Sequence, residues 1–195
     1  MKSIPVKYIN GTIEWYSING ELHRGGDMPA VITADGTRQW CKHGMLHRDG
    51  DKPAIIRADG TKQWFKYGKH HREGDNPSII ILNHKKMWHK DGELHRGGDK
   101  PAVIYIDGGK SWYKNGMLHR EGDKPAVIRS NGSRVWYKHG KLHREGDKPA
   151  VIYIDGGKSW YKNGMLHRNY GPAILHSNGD KYWYRDGVYY KNKKN

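Results

Sequence analysis

The sequence has few of the residues that normally fill a protein core. Leu, Ile, Val and Phe account for 32 of the 195 residues, and phenylalanine occurs once. Together with a formal net charge of +15 and a mean hydropathy of −1.00, this composition is typical of disordered chains. The 8 Trp and 13 Tyr argue against disorder, because disordered chains contain few large aromatic residues. The order of the residues therefore has to decide the fold.

Cysteine and long apolar runs are also scarce. Cys41 is the single cysteine, which excludes an intrachain disulfide framework and a cysteine-rich zinc site. No apolar stretch approaches the about 18 residues of a membrane span, and the opening MKSIPVK has no apolar signal-peptide region. We therefore expect a soluble intracellular protein that is not secreted and has no transmembrane segment.

What the chain does contain is a repeat of about 24 residues, a length within the range of repeat-array proteins. The tryptophans recur almost evenly from Trp15 to Trp183, and the segment 98–120 is identical to the segment 146–168. This periodicity predicts a single repeat array over residues 1–195, with a partial N-terminal unit over 4–14 and a C-terminal cap over 183–195. The full repeats begin at Trp15, Trp40, Trp64, Trp88, Trp112, Trp136 and Trp160.

Each repeat is predicted to consist of strands. Several glycines, a proline and β-branched or aromatic runs in every repeat exclude helices. Asn-Gly at 19–20, 115–116 and 163–164 predicts two-residue type I′ hairpins, and a second Asp-Gly or Asn-Gly turn follows in most repeats. We therefore expect an all-β fold, an elongated single-layer antiparallel β-meander of about seven hairpin repeats. At ~4.8 Å per strand, about 16 strands would extend over roughly 75 Å.

The second turn also predicts a strand register. A two-residue turn at Asp107-Gly108 places Val103 opposite Trp112 and Ile104 opposite Ser111.

The segment EGDKP at 121–125 leaves two interpretations open, because proline cannot donate a hydrogen bond within a central strand. The segment either kinks one strand, which gives two strands per repeat, or reverses the chain, which gives three strands and a true period of two repeats. We favour two strands per repeat.

The string WYKNGMLHR at 160–168, followed by Gly171-Pro172-Ala173 and Asn178-Gly179, resembles MORN repeats. The Leu-His-Arg and Gly-Pro-Ala variant is similar to repeats of giant viruses that infect amoebae and of some bacterial antitoxin-like proteins. The resemblance covers Tyr8 to Lys191 and implies an elongated antiparallel meander that scaffolds protein partners and often dimerises. If the protein is viral, it would reside in the host cytoplasm or the virion.

A set of polar residues is copied through the repeats. Histidines two strands apart are ~9.5 Å apart, too far to share a zinc ion. An enzyme needs one asymmetric constellation, whereas these groups recur as a ladder, so we predict no catalytic, metal or cofactor site and no small-molecule substrate. We expect each His to pack on its cross-strand Trp and each Arg to pair with an Asp such as Asp123 or Asp147 in its own or the next repeat. The predicted structural ladder consists of Trp40, Trp64, Trp88, Trp112, Trp136, Trp160, His47, His71, His95, His119, His143, His167, Arg48, Arg72, Arg96, Arg120, Arg144 and Arg168.

The third repeat departs from the pattern, with Asn83-His84 where Asp-Gly is usual. We expect a different turn type there, because histidine is disfavoured at positive φ. Irregular positions and the final edge are where specific contacts could reside. The candidate interaction residues are Phe65, His70, His84, His89, Tyr189 and Tyr190.

The leading functional hypothesis is a non-enzymatic scaffold that binds a protein partner or a second copy of itself. The alternative is a basic surface that binds nucleic acid or anionic phospholipid, since a charge of +15 attracts polyanions. The lysines are spread along the chain without a compact cluster, which also fits simple solubilisation. A third hypothesis is carbohydrate recognition, because aromatic-Lys-Asn-Gly strings also occur in hairpin solenoids of cell-wall binders.

A repeat array predicts that short fragments do not fold, because each repeat buries its apolar residues only against its neighbours. We expect peptides of one repeat (112–135) and two repeats (112–159) to be unfolded by circular dichroism and proton NMR, with the full chain as the folded control. A cooperative thermal transition in the two-repeat peptide would contradict the prediction.

Overall fold

The computed structural model describes residues 3–190, which form an all-β protein of thirty short strands. Sixteen strands form one open antiparallel sheet in a hairpin meander, and the other fourteen form seven separate two-stranded hairpins. This confirms the predicted all-β, single-layer meander. Residues 3–190 include no helix long and apolar enough to cross a membrane.

The chain divides into two compact units, Met1–Leu94 and His95–Asn195, and each contributes eight strands to the sheet. The strands of the first unit are β1 (Ile4–Lys7), β2 (Ile13–Tyr16), β3 (Val31–Ile32), β4 (Arg38–Gln39), β5 (Cys41–Lys42), β6 (Met45–Leu46), β7 (Ile55–Ile56), β8 (Lys62–Gln63), β9 (Phe65–Lys66), β10 (Lys69–His70), β11 (Ile79–Ile81), β12 (Lys85–Met87), β13 (His89–Lys90) and β14 (Glu93–Leu94). Those of the second unit are β15 (Val103–Tyr105), β16 (Lys110–Ser111), β17 (Tyr113–Lys114), β18 (Met117–Leu118), β19 (Val127–Ile128), β20 (Arg134–Val135), β21 (Tyr137–Lys138), β22 (Lys141–Leu142), β23 (Val151–Ile152), β24 (Lys158–Ser159), β25 (Tyr161–Lys162), β26 (Met165–Leu166), β27 (Ile174–Leu175), β28 (Lys181–Tyr182), β29 (Tyr184–Arg185) and β30 (Val188–Tyr189).

A tryptophan joins the sheet to the small hairpin in each repeat. The Trp112 N–H donates to the Ala126 carbonyl at 2.8 Å, and the Trp112 carbonyl accepts from the His119 N–H at 3.1 Å. Residues 119–126 thus form a loop outside the hydrogen-bonded strands, and both ends of this loop are bonded to the backbone of Trp112. Strands β18 and β19 both run antiparallel to the line formed by β16 and β17, so the loop does not reverse the chain. The structural period is therefore a single repeat, in line with the two-strand interpretation.

The turn of the small hairpin is the predicted type I′ at Asn115-Gly116. Both residues have positive φ, 50° and 73°, and Tyr113 pairs with Leu118. Asn19-Gly20 was predicted to be the same turn, but this prediction is wrong because only Gly20 has positive φ.

The turn at Asp107-Gly108 has three residues instead of two. The Gly108 N–H donates to the Tyr105 carbonyl at 3.1 Å, and the Tyr105 N–H donates to the Gly109 carbonyl at 2.9 Å. Only Gly108 has positive φ, as in a type I turn followed by a glycine bulge.

The longer turn shifts the register by one residue. Val103 pairs with Ser111 and Ile104 with Lys110, so the predicted opposition of Val103 to Trp112 and of Ile104 to Ser111 is wrong. Because side chains alternate between faces, the shift changes which residues share a face of the sheet.

The third repeat has a different turn, as predicted. Asn83 has positive φ (52°), and the His84 N–H donates to the Ile81 carbonyl at 3.2 Å. Positive φ at the third turn position is the signature of a type II turn, which asparagine tolerates well.

The core contains the same few residues from one repeat to the next. Most described repeats bury a tryptophan and an alanine, and these alanines have no exposed surface. On one sheet face the second unit adds Val103, Ser111, Val135, Val151 and Ser159, all buried. A core built from one Trp, one Ala and a single row of the sheet needs few aliphatic residues, which accounts for the unusual composition.

Candidate functional site

Most repeats carry an arginine that is held between a tryptophan and an aspartate. Arg120 lies over the Trp112 ring with its guanidinium carbon 3.8 Å from the ring centroid. Its Nε and Nη2 donate to the two Asp99 carboxylate oxygens of the preceding repeat at 2.7 and 3.1 Å, and Nη1 donates to the Pro125 carbonyl at 3.3 Å. The same three contacts are made by Arg48, Arg72, Arg144 and Arg168.

The predicted pairing of Arg with Asp is thus confirmed, but its predicted placement within the same or the next repeat is wrong, because each arginine binds the aspartate of the preceding repeat, as Arg144 binds Asp123 and Arg168 binds Asp147. Arg96 donates to the Pro101 carbonyl as its counterparts do, at 3.3 Å. The hydrogen bonds from arginine, followed by those from a lysine such as Lys124, hold the pKa of Asp99 well below its usual range. These carboxylates are ionised at neutral pH and fully engaged in contacts between repeats.

The histidine of most ladder steps contacts the next hairpin. His119 Nδ1 accepts the backbone N–H of His139 at 3.2 Å, and the two rings lie 4.6 Å apart. His47, His95, His143 and His167 accept an N–H from the equivalent turn residue. The His119 N–H donates to Trp112, so the two residues are cross-strand neighbours as expected, while the ring itself lies against the following repeat.

Irregular residues of the third repeat and His89, the second residue of the fourth, form one half-buried cluster. The Phe65 and His70 rings lie 4.0 Å apart and the His70 and His89 rings 5.0 Å apart, while the hydroxyl of fully buried Ser78 lies 2.8 Å from His89 Nδ1. Burial lowers the pKa of His70, and burial together with the charge of His70 lowers the pKa of His89 to about 4. His84 is exposed in the adjacent turn, apart from this cluster.

The candidate residues at the C-terminal end belong to the last hairpin. Tyr189 pairs with Tyr184, with ring centroids 5.4 Å apart, and the Tyr190 N–H donates to the Trp183 carbonyl at 3.0 Å. The rest of the predicted cap, residues 191–195, lies outside the described residues.

A row of basic and aliphatic residues crosses one face of the main sheet in each unit. Residues that pair directly across neighbouring strands share a face. In the second unit the row is Ile104, Lys110, Ile128, Arg134, Ile152, Lys158, Leu175 and Lys181. In the first unit it is Lys7, Ile13, Ile32, Arg38, Ile56, Lys62, Ile80 and Lys86. We call each of these the cationic row.

The charges of the cationic row are not neutralised. Its aliphatic members are half-buried and its basic members exposed, and none of the eight basic side chains has an ion-pair partner within residues 3–190. Loop lysines differ, since Lys52, Lys124 and Lys148 each contact an aspartate at 2.7–2.8 Å. Basic side chains two strands apart lie ~9.6 Å from each other along the row. Sequence reasoning missed this surface, because the predicted register put Ile104 beside Ser111 instead of Lys110.

A groove lies between the loops of successive repeats. Four such grooves have volumes of about 330 Å³ at Trp64, 290 Å³ at Trp136, 410 Å³ at Trp160 and 210 Å³ at Trp112. The Trp112 indole N–H donates to the Asp99 carbonyl at 3.0 Å, whereas those of Trp64, Trp136 and Trp160 are buried and have no acceptor among residues 3–190. The three grooves with an unsatisfied indole are thus larger than the groove at Trp112.

Within residues 3–190, no three His, Cys, Asp or Glu side chains are grouped so that they could hold a metal ion. No protein-family model matches the chain, and no curated protein is significantly similar to it.

We predict that Arg120→Lys destabilises the protein by about 1–2 kcal/mol. Lysine keeps the charge but loses the planar stack on Trp112 and the two-pronged bond to Asp99. The midpoint of urea unfolding measures the loss. Arg134→Lys, at an exposed position without an ion pair, is the matched control and should change stability by less than about 0.5 kcal/mol. Equal effects of the two substitutions would refute the role of the stack.

The lowered pKa values of His70 and His89 lead us to predict that the stability of the protein depends on pH. Unfolded His89 takes up a proton near its ordinary pKa of about 6.5, whereas the folded protein resists protonation until about pH 4. Stability should therefore fall as the pH drops from 6.5 to 4, and this contribution should level off below pH 4. Thermal unfolding of the triple variant His70→Leu, Ser78→Ala and His89→Tyr, which restores the residues of other repeats, should lack this fall. An unchanged pH profile would contradict the assignment.

Proposed function

We propose that the chain is a non-enzymatic MORN-like repeat scaffold whose cationic row binds an acidic amphipathic helix of a protein partner. The observation that carries the proposal is the alternation of exposed cations, unpaired within residues 3–190, with half-buried aliphatic residues on one sheet face. It extends from Ile32 to Lys86 in the first unit and from Ile104 to Lys181 in the second. The viral origin and intracellular location remain part of the proposal and rest on the Leu-His-Arg repeats.

The way in which the reactive groups are used supports the proposal that the protein is not an enzyme. The aspartates are bound by arginines, and the ring nitrogens of the ladder histidines face backbone N–H groups and nearby acidic residues. Burial raises the pKa of the Cys41 thiol to about 11, so this cysteine is a poor nucleophile. We therefore assign binding, and no chemical step, to this protein.

The spacing of the row fits a helix laid across the strands. The row presents one side chain every ~4.8 Å, alternately aliphatic and basic. A helix presents one residue of a heptad seam every 3.5 residues, or ~5.2 Å at 1.5 Å per residue. A seam that alternates acidic and apolar residues therefore places a carboxylate near each cation and an apolar side chain near each isoleucine.

The row also discriminates between partners. A second copy of the chain would bring like charges together at this face, so any homodimer uses another surface. Phosphate backbones gain nothing from the interleaved isoleucines, and the row contains no aromatic residue on which bases could stack. Nucleic acid or anionic phospholipid is the second candidate, because unneutralised cations bind polyanions regardless of their shape.

The test measures binding of a labelled 28-residue helical peptide with Glu and Leu alternating along one heptad seam, at ~150 mM salt. A peptide of the same composition with the order scrambled is the first control. Because each unit carries a cationic row, we expect the triple variant Lys110→Glu, Arg134→Glu and Lys158→Glu to lose the site of the second unit and to bind half as many helices per chain as the wild type. The equally charged variant Lys69→Glu, Lys90→Glu and Lys141→Glu changes exposed hairpin lysines off the row and should bind normally.

Duplex DNA and vesicles with phosphatidylserine form the other arms. Row-dependent binding of either, without binding of the helix, would overturn the protein-partner proposal in favour of the second candidate. Equal loss in the row and control variants would show that only net charge matters, and would overturn both.

A further inference from the structure

We propose that the groove around Trp160 is a binding site for a carboxylate ligand that also carries a carbonyl acceptor, such as an N-acylated acidic amino acid. The groove has a volume of about 410 Å³, within the range of small-molecule sites. Trp160, Tyr161, Lys162 and Tyr170 are among the side chains that line it. It lies at the repeat loops, separate from the cationic row, and the proposal stands independently of the function assigned to that row.

The groove lacks a carboxylate that equivalent grooves contain. Four hairpin lysines contact an acid seven residues further on, with Nζ–O distances of 2.6–3.2 Å: Lys42–Asp49, Lys66–Glu73, Lys114–Glu121 and Lys138–Glu145. At Lys162 the seventh residue is Asn169, whose Oδ1 contacts His167 Nε2 at 3.0 Å. Lys162 has no ion-pair partner within residues 3–190, so the ammonium group lines the groove without the counter-charge of its counterparts.

A second donor of the same groove is also unsatisfied. Trp160 is 7% exposed, and its indole N–H is buried without a hydrogen-bond acceptor. At Trp112 the Asp99 carbonyl fills this role at 3.0 Å, which shows what kind of group the indole binds. A buried donor without a partner costs about 1–3 kcal/mol, so an acceptor oxygen brought by a ligand is favoured there.

The remaining charges of the groove select an anion over a cation. Arg168 binds both carboxylate oxygens of Asp147, and Arg144 and Lys148 bind Asp123. Glu145, which also lines the groove, contacts Lys138 at 2.6 Å, so all these groups are neutralised within the protein. Lys162 is left as the unpaired charge. A ligand carboxylate pairs with Lys162, and the carbonyl oxygen of the same ligand takes the role at the Trp160 indole that the Asp99 carbonyl has at Trp112.

The experiment titrates the ¹⁵N-labelled full chain with N-acetyl-glutamate N-methylamide and, as the neutral isostere, N-acetyl-glutamine N-methylamide. We expect the acid to shift the Trp160 indole resonance and to bind at least tenfold more tightly than the amide. The substitution Asn169→Glu introduces the acid of the other repeats, so it should preserve the fold and reduce binding at least tenfold. The reciprocal Glu73→Asn should open the groove at Trp64, where the indole is also unsatisfied, and create a second site.

Three results would overturn the proposal. One is equal binding of acid and amide, and another is full binding by Asn169→Glu. The third is inorganic phosphate competing as strongly as the acid, which would indicate a general anion site without carboxylate selectivity. The variant Lys110→Glu of the cationic row should leave this binding unchanged, which separates failure here from failure of the proposed function.

Discussion

The arginine between tryptophan and aspartate is the contact on which the repeat array depends. Arg120 covers the Trp112 ring of its own repeat and binds both oxygens of Asp99 in the preceding one, so a single side chain closes a repeat and joins it to its neighbour. Only arginine offers a flat face for the ring and a fork for the carboxylate at the same time. The tryptophan, covered by the guanidinium, is buried even though a single-layer sheet has no second layer to cover it. This explains how a chain poor in aliphatic residues sustains a core.

Much of this fold can be predicted from the sequence, because its determinants are local. The tryptophan spacing sets the period, Asn115-Gly116 sets the type I′ turn, and Pro125 marks where the ladder is interrupted. The register at Asp107-Gly108 could not be predicted, since this dipeptide fits both a two-residue turn and a three-residue turn with a glycine bulge. The two differ by one residue in length, and in a sheet one residue is the difference between the two faces.

That one residue also decides whether the cationic row can be recognised. Lysines and arginines that recur once per repeat look evenly dispersed in the sequence, and only the correct register places Ile104 beside Lys110 and Ile128 beside Arg134. The basic residues that give the net charge of +15 then fall into two groups, with and without an acidic partner. Loop cations such as Arg120 and Lys124 bind aspartates and stabilise contacts between repeats, whereas those of the cationic row have no ion-pair partner within residues 3–190. The buried indole N–H groups that lack an acceptor among residues 3–190 could not be predicted from the sequence either, because the position of the acceptor depends on the loop conformation.

Repetition makes the exceptions informative. Four repeats pair a hairpin lysine with an acid seven residues further on, whereas Gly97 and Asn169 take the place of that acid in two others. Ser78, His70 and His89 form a polar cluster at positions that hold apolar or tyrosine residues elsewhere. The two exceptions differ physically. The histidine cluster is half-buried and internally bonded, so its consequence is a pH-dependent stability. The groove at Asn169 has a cation and a donor without partners, so its consequence is affinity for a ligand. A ladder of identical contacts supplies rigidity, and a repeat that omits one contact can bind without weakening the others, because each repeat interacts only with its neighbours.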